Sequence, residues 1–366
     1  MNRPQMTTHR ARQQGLTIVE IMVAMVLSLI LTAGVIEVFL GSKNTYRVNE
    51  AVSRLQEEGR MALELMSRDL RMAGFSGCSR YAPVTNTLNS STNVAYNFAV
   101  GVNGYDNIGG TPPAELTAIG VTPNPGTDVI VVRRQSDNPI RIVKNNDAAN
   151  MFTENLGDDP GACPNGDTRW SGLCPGDILL VSDCRKSRVF QATTVGETGG
   201  GDTSIKVNHD GRNTVTPGNA ATSWGGNSAP EDQQFNDDAE IYKVSTYIYY
   251  VANNADGIPS LYRQDGTSTP IELAQGVENL QVLYGVDTSP ADVHQSADTY
   301  LAASSISAAN WDNVISARVH LLMRTLDDNM AEAAQTYRYV GADINAGDRR
   351  IRKEFTALVT LRNRVR

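Results

Sequence analysis

A carboxylate in a long apolar run is the first feature of this chain that points to chemistry. Residues 16–20 read Leu-Thr-Ile-Val-Glu, and Ile21 to Ile36 is apolar apart from Ser28, Thr32 and Gly34. Glu20 sits where a charge is costly unless it has a reason to be there, such as a partner. Ahead of the run stand Arg3, Arg10 and Arg12, no acidic residue, and Gly15 at the junction. The four cysteines, Cys78, Cys163, Cys174 and Cys184, show no C-x-x-C spacing, and the four histidines are scattered. That pattern predicts disulfides and no metal site. Near the C-terminus, Arg362, Arg364 and Arg366 would share one face of a strand. They would form a charged edge that discourages strand pairing, a basic patch for an acidic partner, or a surface for DNA. Catalytic signatures are missing: there is no Gly-x-Ser-x-Gly, no His-Glu-x-x-His and no phosphate-cradling loop. Ala252 to Gly257 faintly resembles a calcium loop, but Ala252 stands at its first ligand and Arg263 where the closing Glu belongs. The reading is a non-enzyme without cofactor or metal, and His320 falls on the polar side of a strand.

The elements that hold these residues follow from periodicity. Leu16 to Leu40 is 25 residues, and a membrane span needs about 20 predominantly apolar ones. A basic leader stays cytoplasmic and sends the rest across the inner membrane. A secretory signal would carry a small-residue cleavage site after its apolar run. Here Leu40-Gly41-Ser42-Lys43 leads into a charged helix, so Gly15 is the better cut site and the run is kept. Beyond it, Val48, Val52, Leu55, Gly59, Ala62, Met66, Leu70 and Ala73 recur at helical spacing. The pattern predicts a helix from Leu16 to Ala73, roughly 87 Å at 1.5 Å per residue, ended by Gly74.

After Cys78 the texture turns to β. Strands are expected at 128–134, 177–183, 187–193, 241–250, 277–284, 315–324 and 355–361, with a hairpin at Asn253–Gly257. In the first of the late strands Val244, Thr246, Ile248 and Tyr250 face one way, and Lys243, Ser245, Tyr247 and Tyr249 the other. Residues 85–127 and 196–238 read as long irregular loops, functional or mobile. The fold expected is α+β, a long N-terminal helix packed on an antiparallel sheet. Cys163 and Cys174 bracket a Pro/Gly/Asp-rich loop and make a local staple, which leaves Cys78 to join Cys184; the two other pairings stay open.

Cleavage at Gly15 would leave 351 of 366 residues, one sizeable domain on a stalk or two lobes. The formal charge of -8 becomes -11 without the three leader arginines, which argues against generic nucleic-acid binding.

The order of basic leader, glycine, apolar run and early glutamate resembles the type III signal of type IV pilins and type II secretion pseudopilins. Arg71-Met-Ala-Gly-Phe-Ser-Gly-Cys78, Ser316-Ala-Arg-Val-His-Leu-Leu-Met-Arg324 and Phe355-Thr-Ala-Leu-Val-Thr-Leu-Arg-Asn-Arg364 resemble the narrower family of PilW-type minor pilins. Two departures stand out: the mature chain would begin with Leu16 where pilins most often have Phe, and no proline lies between Pro4 and Pro83.

The resemblance implies that prepilin peptidase cuts between Gly15 and Leu16, that Leu16 is N-methylated, and that Glu20 pairs with a pilin α-amine during subunit docking. It implies 1–15 as leader, 16–40 as the transmembrane and assembly half of the helix, 41–74 as its amphipathic half and 75–366 as a periplasmic, later extracellular, head. The partners implied are other minor pilins, the major pilin, a large tip adhesin and the inner-membrane assembly machinery. The role implied is in a tip complex that primes pilus assembly and supports twitching, adhesion and DNA uptake. A minor pseudopilin and a tip adhesin that binds through 196–238 are the alternatives.

Overall fold

The computed structural model describes residues 17–74, 83–211, 215–289 and 296–364. Ile18–Arg71 is one α-helix of 54 residues. The chain divides between Ser53 and Arg54 into two units, and the helix runs through the division.

In the first unit every described residue up to Arg47 is exposed. The polar groups of this apolar stretch are satisfied within the helix. Ser28 Oγ donates to the Met25 carbonyl (2.9 Å), Thr32 Oγ1 to Ser28 (2.7 Å) and Thr45 Oγ1 to Gly41 (2.9 Å). In hydrocarbon an unsatisfied hydroxyl would be costly.

The second unit buries the helical stripe. Leu55, Gly59, Ala62, Met66, Leu70 and Ala73 form a core with strands of two sheets. One sheet has four antiparallel strands in the order Thr299–Leu301, Val277–Val286, Val314–Arg324, Arg352–Thr360. The other has twelve, and the 14-residue strand Glu240–Asn253 is its spine. Residues 240–243 pair with Ile178–Ser182. From Val244 onward the spine pairs instead with Val129–Gln135, and from Tyr247 also with Pro259–Asp265. Side chains alternate strictly here. Ile130, Val132, Tyr249 and Val251 face the helix-side core, while Val129, Val131, Ile248 and Tyr250 face a second core. Burial on both faces explains why Val129–Val132 is apolar without alternation.

The strands read from sequence are all present, shifted by a few residues at their ends. Tyr249 departs from expectation: grouped with polar neighbours, it is fully buried, because its side of the strand is covered by the helix. The two supposed loops also depart. Thr194–Gly199 and Asp202–Asn208 form a hairpin that continues the large sheet, and Trp224 and Phe235 lie in a third core. Segment 85–127 contributes the strands Val84–Asn86 and Val102–Tyr105, and Leu88, Val94, Ala95 and Tyr96 fill the second core. Short apolar groups between turn residues have little periodicity to detect.

Segment 94–103 is held by a buried cation. Arg133 is 3% exposed, and it donates to the carbonyls of Val100 (2.9 Å) and Val94 (2.6 Å) and to Asn103 Oδ1 (2.8 Å). The backbone closes tightly beside it. Gly74, at φ +69°, donates to the Arg133 carbonyl (2.9 Å), and a Cβ on Gly101 would lie 2.4 Å from the Gly74 Cα. Asp128 joins the two sheets. Its backbone N–H donates to Leu280 (2.9 Å), and its carboxylate accepts from the N–H groups of Asn107 (2.8 Å) and Val282 (2.7 Å).

Two predictions follow from these buried charges. Arg133→Ala leaves three acceptors without a donor and should cost about 3–5 kcal/mol, read as a lower urea midpoint of the detergent-solubilised chain; an unchanged midpoint refutes this role. Burial pushes the Asp128 carboxyl up to about 6, with the two backbone N–H groups pulling it back. The folded state therefore holds this proton more tightly than the unfolded state. The stability it contributes is complete below about pH 4 and lost as pH rises through about 6. The melting temperature of Asp128→Asn relative to the parent should therefore rise between pH 4.5 and pH 7; a flat difference contradicts it.

Candidate assembly surface

The start of the helix explains how Glu20 is held. Glu20 Oε2 accepts from the backbone N–H and from the hydroxyl of Thr17, each at 2.9 Å, and the Glu20 N–H donates to Thr17 Oγ1 (3.3 Å). This is a reciprocal capping box, Thr at the cap and Glu three residues on. The Thr-x-x-Glu signal ahead of an apolar run is present in the sequence, yet the reading above passed over Thr17. The carboxylate caps the start of its own helix. Around it stand exposed Ile18, Val19, Ile21 and Met22, and the large apolar side chains stay exposed to Leu40. This helix is long and apolar enough to cross a membrane by length and composition. Gly15 and Leu16 lie outside the described residues.

The arginine tail is not arranged as expected. The last strand ends at Thr360, and residues 362–364 form a turn, so period two stops before the arginines. Arg364 is turned inward: its Nη1 lies 2.9 Å from Asp312 Oδ1, and its guanidinium packs against Gly74 and Gly101. Arg362 is exposed, and Arg366 lies outside the described residues. Arg362 and Arg364 do not share one face. His320 is corrected as well: it is buried, with Nδ1 2.6 Å from Glu354 Oε1 on the neighbouring strand.

Cys163 and Cys174 are joined, with Cα atoms 5.6 Å apart. The proposed partner of Cys184, Cys78, lies outside the described residues. Asn253–Gly257 is a hairpin turn in which Asn254 Oδ1 accepts from the N–H groups of Asp256 and Ile258, both at 3.0 Å. Among the described residues no group of three or more His, Cys, Asp or Glu could hold a metal ion.

Asp69 is the polar residue that sequence reasoning missed. Placed at the last turn of the helix, it is 3% exposed. Its carboxylate accepts from the Tyr249 hydroxyl and lies 3.0 Å from Arg134 Nε and 3.5 Å from Arg263 Nη1. The Arg134 contact is out of line for a hydrogen bond and acts as an ion pair. Both guanidiniums also lie over the Tyr247 ring, at 5.4 and 4.5 Å. Burial and the Asp69 charge together push the Tyr249 hydroxyl far up, so it remains a donor. Asp69 thus clasps the helix to three strands. Nothing in a lone Asp among Ser67, Arg68 and Leu70 distinguishes it from a solvated helix charge.

Residues 248–363 match the family model of the Type IV Pilus-assembly protein W, and residues 10–36 match the prokaryotic N-terminal methylation motif. The first match takes in the second half of the spine strand and the whole four-stranded sheet; the second takes in Gly15, Leu16 and the capped Glu20. No curated relative and no solved structure matches the chain. These two matches are consistent with a type IV pilus-related pilin of the PilW type.

Removing Asp69 would take from the half-buried Arg134 and Arg263 the carboxylate they share and leave the buried Tyr249 hydroxyl without its acceptor. Asp69→Ala should cost about 3–5 kcal/mol of stability, seen as a lower unfolding midpoint of the detergent-solubilised chain. A loss under about 1 kcal/mol, the range of an exposed pair, would show that the clasp is not structural.

Proposed function

We propose that this chain is a minor pilin of the type IV pilus, a low-copy subunit of the complex that primes fibre assembly at the tip, with no catalytic role. The observation that carries the reading is Glu20: a capped carboxylate at the mouth of a helix whose apolar side chains are exposed through Leu40. Cleavage between Gly15 and Leu16 would create a positive α-amine four residues ahead of that carboxylate, and N-methylation of Leu16 would keep the charge. While the subunit is held in the inner membrane with its head in the periplasm, Thr17 satisfies Glu20. In a fibre, where water is excluded from the packed helices, an α-amine on a neighbouring subunit offers Glu20 a full opposite charge. A buried carboxylate is stable only with such a partner. The major pilin, other minor pilins and a tip adhesin are the proposed neighbours, and twitching, attachment and DNA uptake the dependent outputs.

Agreement of residues 248–363 with a pilus-assembly family supports a pilus over a secretion system. A deletion that stops exoprotein secretion and leaves twitching intact would overturn that choice. In the adhesin alternative 196–238 contacts a surface, and it would do so as a segment that supplies sheet strands and core residues.

The capping box gives a test that separates charge from helix capping. Glu20→Ala should insert and be cleaved but fall about ten-fold in the sheared fibre fraction, equivalent to roughly 1.4 kcal/mol of docking. Glu20→Gln retains the capping geometry without the charge and should fall as far. If Gln restores the parent level, Glu20 serves only its own helix and the docking role is wrong.

A further inference from the structure

The final strand, Arg352–Thr360, is the outer strand of the four-stranded sheet. Among the described residues it pairs with Val314–Arg324 and with no other strand. All nine residue pairs of that ladder are in regular register, without a bulge. The segment Phe355-Thr-Ala-Leu-Val-Thr-Leu361 contains no charge, no proline and no glycine. Its inner positions, Phe355, Ala357, Val359 and Leu361, belong to the helix-side core. Its outer positions, Thr356, Leu358 and Thr360, are exposed, Leu358 to 57%. The hairpin of Thr336–Tyr339 and Ala342–Asn345 meets the start of this strand, where the Val340 N–H donates to Glu354, but from Phe355 onward the edge is neither bulged, charged in its middle nor interrupted. Seven uncharged residues of high β propensity on an open edge are an aggregation hazard unless another strand covers them.

The charges at its two ends indicate which strand. Lys353 and Arg362 are exposed. Glu354 is already engaged, by His320 at 2.6 Å and by the Val340 N–H at 3.2 Å. The free charge flanking the edge is therefore positive at both ends, on a chain whose formal charge is -8. A second copy fits poorly. Antiparallel pairing centred between Ala357 and Leu358 brings Lys353 to the end of the partner strand, where Arg362 follows Thr360, like near like. Pairing centred on Leu358 brings Glu354 to that end instead, and its carboxylate is spent on His320.

We propose that the Phe355–Thr360 edge is the docking site for a β-strand of a different pilin subunit, one with an apolar or threonine-rich centre and acidic residues at its ends. Backbone hydrogen bonds supply the affinity, Leu358 packs on the partner's outer face, and Lys353 and Arg362 select the partner by charge. This rests on the pilin reading above and gives the head its own contact, separate from Glu20.

The test uses the full chain in cells that assemble fibres, with a photoreactive phenylalanine analogue at position 358 and at Met61 as the control. The expected result is an adduct from 358, absent from 61, mapped to an extended acidic segment of another chain that bears its own prepilin start. Lys353→Glu combined with Arg362→Glu should lower that adduct at least about five-fold at an unchanged melting temperature, which is checked because Lys353 Nζ lies 5.3 Å from the centre of the Phe355 ring. An adduct with a second copy, or none above control, overturns the proposal. Chain that enters the fibre fraction normally with both charges reversed sinks the edge proposal alone; chain never found there sinks the pilin reading as well.

Discussion

The head depends on a carboxylate buried at the end of the long helix. Asp69 is held by Tyr249, Arg134 and Arg263, which come from three neighbouring strands of the large sheet. A helix with one apolar stripe can slide or rotate on a sheet at modest cost, since dispersion and burial are not directional. A buried carboxylate cannot, because moving it by one residue separates it from both guanidiniums. The clasp therefore sets the register in which Leu55, Ala62, Met66 and Leu70 meet the sheets. Such networks commonly contribute specificity more than net stability, because desolvation offsets much of the attraction.

Around that clasp the head uses backbone proximity and buried charge in place of a single large core. Gly74 and Gly101 let the end of the helix touch segment 94–103, and Arg133 satisfies the carbonyls of that segment from beneath. Asp128 pins the four-stranded sheet to the start of Val129–Gln135. Three apolar clusters then share one spine strand, which turns alternate side chains into two of them along its second half. The matched family region covers that half of the spine and the small sheet, while the strands from Ile140 to Asn208 lie outside it.

The helix and the head satisfy opposite physical requirements. Through Leu40 the helix leaves every large apolar side chain uncovered and internalises its hydroxyls, as a lipid or a packed fibre demands. From Leu55 it buries one stripe and exposes charges elsewhere. Glu20 stands at the margin of the first regime, where a capping box costs nothing and a paired amine is worth most.

Much of this was legible in residue order alone. Apolar spacing foretold the helix, its stripe and its end near Gly74, because a 3.6-residue period sustained over many turns has few other solutions. Strands with period-two alternation, such as 315–323 and 355–361, were equally plain, as was the local Cys163–Cys174 staple. The order of basic leader, Gly15 and Glu20 pointed to the pilin signal that the methylation-motif match supports. Tertiary structure alone decided the rest. It converted Asp69 and Tyr249 from surface residues to a buried pair, because burial depends on what a distant strand covers. It drew 194–208 into the large sheet, because strand pairing is non-local. It split the arginines, ending the strand at Thr360 and turning Arg364 onto Asp312, so that an edge read as guarded by charge is open along its middle.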